Sequence, residues 1–163
     1  MVEHIEEKTL RKIDPRVSYL WKWIPSRGRS GGILNGVNLD LMDVGGFHEG
    51  KYLIHLNLWD KQLKRKWDFL NIYGAAQEEN KNEFLAEFVR FYNGVNVPYL
   101  VGGDFNIIIF SSKKNKENGL HKHTDLFNSV ISTLDLLDIH MSGGNSLGLI
   151  IKLIPLWKDL TEF

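Results

Sequence analysis

Between Gln77 and Phe91 the apolar residues change their spacing, and that change limits the architectures open to the chain. Upstream lie short stretches rich in aromatic and branched side chains: Val17 to Ile24, Gly31 to Val37, Leu39 to Val44, Tyr52 to Trp59 and Lys66 to Tyr73. Turn-forming residues separate them, so they read as strands, the last three together as an antiparallel meander. From Gln77 to Phe91 the period becomes helical. Phe84, Leu85, Phe88 and Phe91 share one face, while Glu78, Glu79, Lys81, Glu83 and Arg90 point to water. Pro98 to Val101 returns to strand, and Leu126, Phe127, Val130, Ile131, Leu134 and Leu137 mark a second amphipathic helix. A chain that must bury both a sheet face and a helix stripe forms a layered α/β or α+β domain with helices outside the sheet. No repeat at solenoid spacing is present.

The ends and loops fit one such domain. Glu3 to Lys12 carries Ile5, Leu10 and Ile13 at near-helical spacing, and Asp14-Pro15 stops that helix. Arg27-Gly-Arg-Ser-Gly-Gly32 is a tight turn between strands, and Ser111 to Asn118 is a lysine-rich loop. With 163 residues the chain can bury one core. It has no cysteine, so any metal must sit on oxygen or imidazole, and a reducing compartment is the matching environment. The formal net charge of +0 supplies no global field toward phosphate or anionic lipid. No apolar run approaches the roughly 20 residues of a membrane span, and Met1 to Lys8 lacks the apolar core of a signal peptide. The expectation is an intracellular protein, nuclear or cytoplasmic, with no membrane partner and no sign of an oligomer.

Gly102-Gly-Asp-Phe-Asn106 is the segment with chemistry in it. It follows a short apolar strand, which sets Asp104 and Asn106 two apart, on one side if the extended geometry persists. A carboxylate can act as base or hard-cation ligand, and a neutral amide can hold a phosphate oxygen or an attacking water. Asp and Asn after a strand are also what an ordinary turn uses.

The wider sequence resembles the endonuclease/exonuclease/phosphatase superfamily, with Leu70-Asn-Ile-Tyr-Gly74 ending one strand and Gly-Asp-Phe-Asn ending the next. Trp21-Lys-Trp-Ile-Pro-Ser-Arg-Gly-Arg-Ser-Gly-Gly-Ile-Leu34, Asn71-Ile-Tyr-Gly-Ala-Ala-Gln77, Gly102 to Ile108, Phe127-Asn128 and Leu137-Asp-Ile139 resemble successive signatures of the endonuclease of plant LINE-type non-LTR retrotransposons. The resemblance runs from about Leu10 to Gly144. It implies a DNase I-like, four-layer α/β sandwich of two packed, mostly antiparallel sheets with flanking helices, present here in part. It further implies phosphodiester hydrolysis on DNA with Mg²⁺. Asp104 would orient or deprotonate the attacking water, Asn106 would hold the scissile phosphate, and Tyr73 would donate to a phosphate oxygen.

Part of the family pattern has no counterpart in this sequence. The strand that carries the principal metal-binding Glu does not precede Trp21, and Glu3, Glu6 and Glu7 sit in a charge-rich helical stretch. The closing Ser-Asp-His is absent too, so no metal ligand is assigned. The expectation is a fragment of the endonuclease domain over residues 1–145, inactive alone; a nucleic-acid or protein binding module and a decayed reading frame are the alternatives. After its Gly-Gly the family continues Phe-Thr-Trp-Ser-Asn, whereas this chain reads Asn145-Ser-Leu-Gly-Leu-Ile150. Back-translated as AAT TCA CTT GGT CTA ATA and read from the third base of the Asn145 codon, the message gives TTC ACT TGG TCT AAT, which is Phe-Thr-Trp-Ser-Asn. Residues 146–163 are therefore expected to be a frameshift product, a divergent tail.

Other polar residues carry blander expectations. His121 and His123 read as exposed residues of the loop before the second helix, and His48 and His55 as solvent-facing strand residues. The clusters Lys61 to Lys66 and Lys113, Lys114 and Lys116 could track a DNA backbone, yet such lysines are usually just solvated. Trp21, Trp23, Trp59 and Trp67 are expected in the inter-sheet core or at its rim.

Overall fold

The computed structural model of the chain describes residues 5–16, 18–26, 31–92, 97–107, 120–138 and 148–152. Helix α1, Glu7–Ile13, ends at Asp14, whose buried carboxylate accepts the backbone N–H of Tyr19 at 2.9 Å and starts the first strand. Strands β1 (Tyr19–Ile24) and β2 (Ile33–Asn38) form a two-stranded antiparallel sheet. The alternation of buried Ile33, Asn35 and Val37 with exposed neighbours shows that β2 has one inner face.

The second sheet has six strands in the order β3-β4-β5-β6-β8-β7. These are β3 (Met42–Glu49), β4 (Leu53–Asp60), β5 (Arg65–Tyr73), β6 (Tyr99–Asp104), β7 (Leu137–Asp138) and β8 (Gly148–Lys152). Among the described strands only β5 and β6 pair in parallel. Between them run a 3-10 turn, Glu78–Asn80, and helix α2, Lys81–Tyr92, as a parallel pairing requires. Helix α3, Leu120–Thr133, precedes β7.

The register divides the large sheet into two faces. On one, Leu53, Leu70, Ile72 and Val101 pack with Phe84, Leu85 and Phe88 of α2 and Phe127 of α3. Phe84, Phe88 and Phe127 are at most 1% exposed, and each contributes on the order of 1.5–3 kcal/mol of burial. On the other face, Ile54, Leu56 and Leu58 pack against Ile24, Ile33 and Val37 of the small sheet. The chain is thus the mixed α/β arrangement of two packed sheets with helices outside that the sequence leads one to expect.

Several local expectations change. The antiparallel meander expected over Leu39 to Tyr73 is β3, β4 and β5, and β1 and β2 form a sheet of their own. Leu39 to Leu41 is the turn before β3, and β3 continues through a bulge at Gly45-Gly46 to Glu49. Helix α3 begins at Leu120, six positions before the first periodic apolar residue, and Leu137 belongs to β7. His123 therefore lies within the helix and is buried, where an exposed loop residue was expected. Its Nδ1 lies 2.5 Å from Glu78 Oε1 and its Nε2 3.2 Å from Asn82 Oδ1, so polar partners offset its burial. His55 is likewise not solvent-facing: its Nε2 lies 2.9 Å from the buried carboxylate of Asp68, which also accepts from Asn57. His48 is exposed and lies against Phe91. Trp21, Trp23, Trp59 and Trp67 are half-buried, but only Trp67 among them packs in the inter-sheet layer. Trp21 and Trp23 alternate with the inward Leu20 and Ile24 and so lie on the outer face of the small sheet, and Trp59 alternates with the inward Leu58.

Gly148–Lys152, in the expected divergent tail, pairs antiparallel with β6 and β7. Lys61 is tied to Asp43 at 3.0 Å and to the carbonyl of Leu39, which removes it from the first basic cluster. Lys113, Lys114 and Lys116, and Arg27 to Ser30, lie outside the described residues. Among the described residues no helix is long and apolar enough to cross a membrane.

Candidate active site

Tyr73 and Asp104 end neighbouring parallel strands as register partners, so both side chains leave the sheet on the face toward the small sheet. The ladder runs one step further, with Gly74 N–H donating to the Asp104 carbonyl at 2.7 Å. The approach is close enough to dictate Gly103. Its φ of +138° is one that side-chain-bearing residues rarely adopt, and a Cβ there would collide with the Ile72 backbone.

Past Asp104 the chain leaves the extended form. Asn106 has φ +51°, its backbone N–H donates to Asp104 Oδ1 at 3.0 Å, and its Nδ2 donates to the Gly74 carbonyl at 2.8 Å. Asp104 and Asn106 are therefore brought together by an Asx turn, and the extended spacing expected from sequence does not persist. The two groups remain adjacent. One N–H of the Asn106 amide and one oxygen of the Asp104 carboxylate have no partner within this turn, and Tyr73 ends the neighbouring strand.

Gly31, from the turn between β1 and β2, lies against the Tyr73 ring, where an added Cβ would come within 2.9 Å of Cζ. A cleft of about 110 Å³ opens here, lined by Ile24 and Ile33 of the small sheet with Pro25 after β1, by Lys51 and Tyr52 between β3 and β4, by Tyr73 at the end of β5, and by Gln77 and Asn80 at the 3-10 turn. Sequence reading did not single out Lys51, Tyr52 or Asn80, since none sits in a recognisable motif. Lys51 Nζ pairs with Glu83 at 2.6 Å, and the Tyr52 hydroxyl donates to the same carboxylate at 3.1 Å. Hydrogen bonding to Glu83 raises the Lys51 ammonium above its ordinary range, and the reciprocal bond lowers the Glu83 carboxyl. Burial raises the Tyr52 phenol and the Glu87 carboxyl, the latter despite its bond from the Lys51 backbone N–H.

Beneath Tyr73, Asn71 Nδ2 donates to Asn35 Oδ1 across the inter-sheet layer at 2.5 Å. Among the described residues no three His, Asp or Glu side chains converge as a metal site, and Asp104 is the one carboxylate at these two strand ends. That donor set does not fit a Mg²⁺ ion, which needs several oxygen ligands.

No family model matches the chain, and no curated protein matches it by sequence. Solved structures do. The catalytic domain of human Nocturnin with bound sulfate superposes with a TM-score of 0.54 at 13% identity, covering 89% of this chain and 64% of that one. An endonuclease/exonuclease/phosphatase family protein from Bacteroides thetaiotaomicron gives 0.55 at 12%, covering 88% and 64%. A mannosyl-6-phosphatase from the same organism gives 0.54 at 13%, covering 88% and 66%. The chain thus spans just under two thirds of the length of each of these structures. At such identities the likeness speaks for architecture: this chain has the DNase I-like fold of the endonuclease/exonuclease/phosphatase proteins.

Proposed function

We propose that the chain carries the middle of a Mg²⁺-dependent DNA endonuclease domain of the plant LINE retrotransposon kind, and that these 163 residues do not cut DNA by themselves. The observation behind this reading is the pairing of Tyr73 with Asp104, which gathers three polar groups at adjacent parallel strand ends. In the proposed roles, Asp104 orients or deprotonates the attacking water, and Asn106 and Tyr73 hold phosphate oxygens. Asn106 can do so with its second amide N–H while the first stays on Gly74.

The metal is the weak part of the site. Asp104 alone does not hold a Mg²⁺ ion, and the resemblance puts the principal ligand on a Glu-bearing strand that this sequence does not contain. Groups that act as a unit fail together, so hydrolysis by the 163 residues alone is not expected. The frameshift belongs to the same reading: residues 1–145 are the endonuclease portion and 146–163 a divergent tail, the strand at Gly148–Lys152 notwithstanding.

A plasmid-nicking assay with Mg²⁺, run beside Asp104→Ala, tests the reading. The expected result is no nicking by either protein. Nicking that disappears in Asp104→Ala would establish the site and overturn the claim of inactivity. DNA binding is measured separately: affinity that falls steeply with salt supports the nucleic-acid role, and none at low salt removes it. Sequencing the coding DNA tests the tail, which must encode Phe-Thr-Trp-Ser-Asn in a shifted frame after Asn145.

A further inference from the structure

We infer that the cleft beside Tyr73 is a nucleobase pocket, holding one unstacked base of single-stranded DNA next to the proposed phosphodiester site. The inference rests on the nucleic-acid reading above and adds the ligand of a site that reading leaves without one. The argument is by the chemistry of the walls. Ile24, Pro25 and Ile33 make one side apolar, and Tyr73 supplies an aromatic ring. Gln77 and Asn80 bring two primary amides to the rim. The Asn80 Nδ2 to Gln77 Oε1 separation of 3.5 Å is at the limit of a hydrogen bond, so both amides keep donor and acceptor capacity.

Other ligand classes fit less well. An anion would look to Lys51, but that ammonium is paired with Glu83 at 2.6 Å, and Glu87 accepts the N–H of the same residue. A divalent cation would find no carboxylate or imidazole among the described lining residues. A purely apolar ligand would strand the amides. At about 110 Å³ the cleft is well below the roughly 300 Å³ at which drug-sized pockets begin, so it takes one planar group and not a peptide. A base is neutral and planar, has π-faces for the tyrosine, and carries an edge that Asn and Gln read in pairs of hydrogen bonds.

Placement strengthens the assignment. Tyr73 lines the cleft and ends the strand paired with Asp104, so a base in the cleft sets its own phosphate near the Asp104–Asn106 turn.

The test is a fluorescence-anisotropy titration of the full chain at low salt. Two labelled short deoxyoligonucleotides are compared, one with adenine bases and one of equal length with tetrahydrofuran in place of every base. Tighter binding of the adenine oligomer, by about tenfold, is expected, since stacking and edge contacts are lost in the other. Gln77→Ala/Asn80→Ala should shrink that ratio severalfold and leave the affinity for the base-free oligomer unchanged. Tyr73→Phe keeps the ring and should keep most of the preference. Equal affinity for the two oligomers in the unaltered chain, with steep salt dependence, overturns the base pocket while leaving backbone binding intact. Absence of binding to either overturns both readings.

Discussion

Asn106 and Gly74 are joined by a hydrogen bond from the Asn106 Nδ2 to the Gly74 carbonyl at 2.8 Å, 32 residues apart in sequence. With Gly74 N–H on the Asp104 carbonyl, this bond laces the loops that follow β5 and β6 into one unit. The relative placement of Tyr73 and Asp104 depends on that lacing as much as on the ladder beneath it.

Replacing Asn106 separates its two contributions. Asn106→Ala loses the bond to Gly74 and puts at φ +51° a residue that tolerates the left-handed region less well than Asn, for about 2 kcal/mol in all. Asn106→Gly loses only the bond and should cost about 1 kcal/mol or less. Urea unfolding midpoints measure both, and equal losses would show that the backbone conformation contributes nothing.

Gly103 is a sharper case. Its φ of +138° and the Ile72 backbone beside it leave no room for a methyl group, so Gly103→Ala should destabilise by more than about 1 kcal/mol. The adjacent Gly102→Ala provides a comparison, since Gly102 lies in ordinary strand geometry. A Gly103→Ala protein with an unchanged thermal midpoint would mean that β5 and β6 are less tightly apposed.

Much of this was legible in the sequence, for a physical reason. The switch from period two to period 3.6 at Gln77 is a backbone property written in side-chain spacing, and α2 follows it. Asp104 stands out in the sequence because it closes an apolar strand, and Tyr73 only through the family resemblance; parallel pairing sets the two side by side. What stayed hidden depends on contacts distant in the chain. His123 pairs with Glu78, 45 residues away, and His55 with Asp68 on the next strand, and nothing local marks either pairing. Asn106 defeated the extended-strand argument because its side chain competes for backbone partners, a property of Asn that strand periodicity ignores.

His123 makes a testable joint between the helices. It is 7% exposed and bridges Glu78 and Asn82, which fastens α3 to the start of α2. His123→Leu fills the space but removes the ring that ties the exposed Glu78 and Asn82 side chains to α3, so a loss of stability is expected at that contact. Amide hydrogen exchange should show the loss of protection concentrated in α3 and not in β4 or β5. Uniform loss across the chain would refute the idea of a local joint.

The Lys51, Tyr52 and Glu83 cluster sets a pH window. Glu83 is lowered from 4.5 by its bond to Lys51, so its contribution is present above that value and is lost as pH falls through the lower, folded-state value. Lys51 is raised from 10.5, chiefly by Glu83, and Tyr52 from 10.0, chiefly by burial. Their contributions are complete below those values and disappear as pH rises through the folded-state ones. The cluster therefore supports the fold on a plateau between the two limits. Lys51 and Glu83 are solvent-exposed, so the effect is small and weakens with salt. Urea midpoints of the unaltered chain and Glu83→Gln should differ at neutral pH and converge in acid, where the carboxyl is protonated. A difference that persists unchanged into acid would place the effect of the substitution in packing and not in the charge on Glu83.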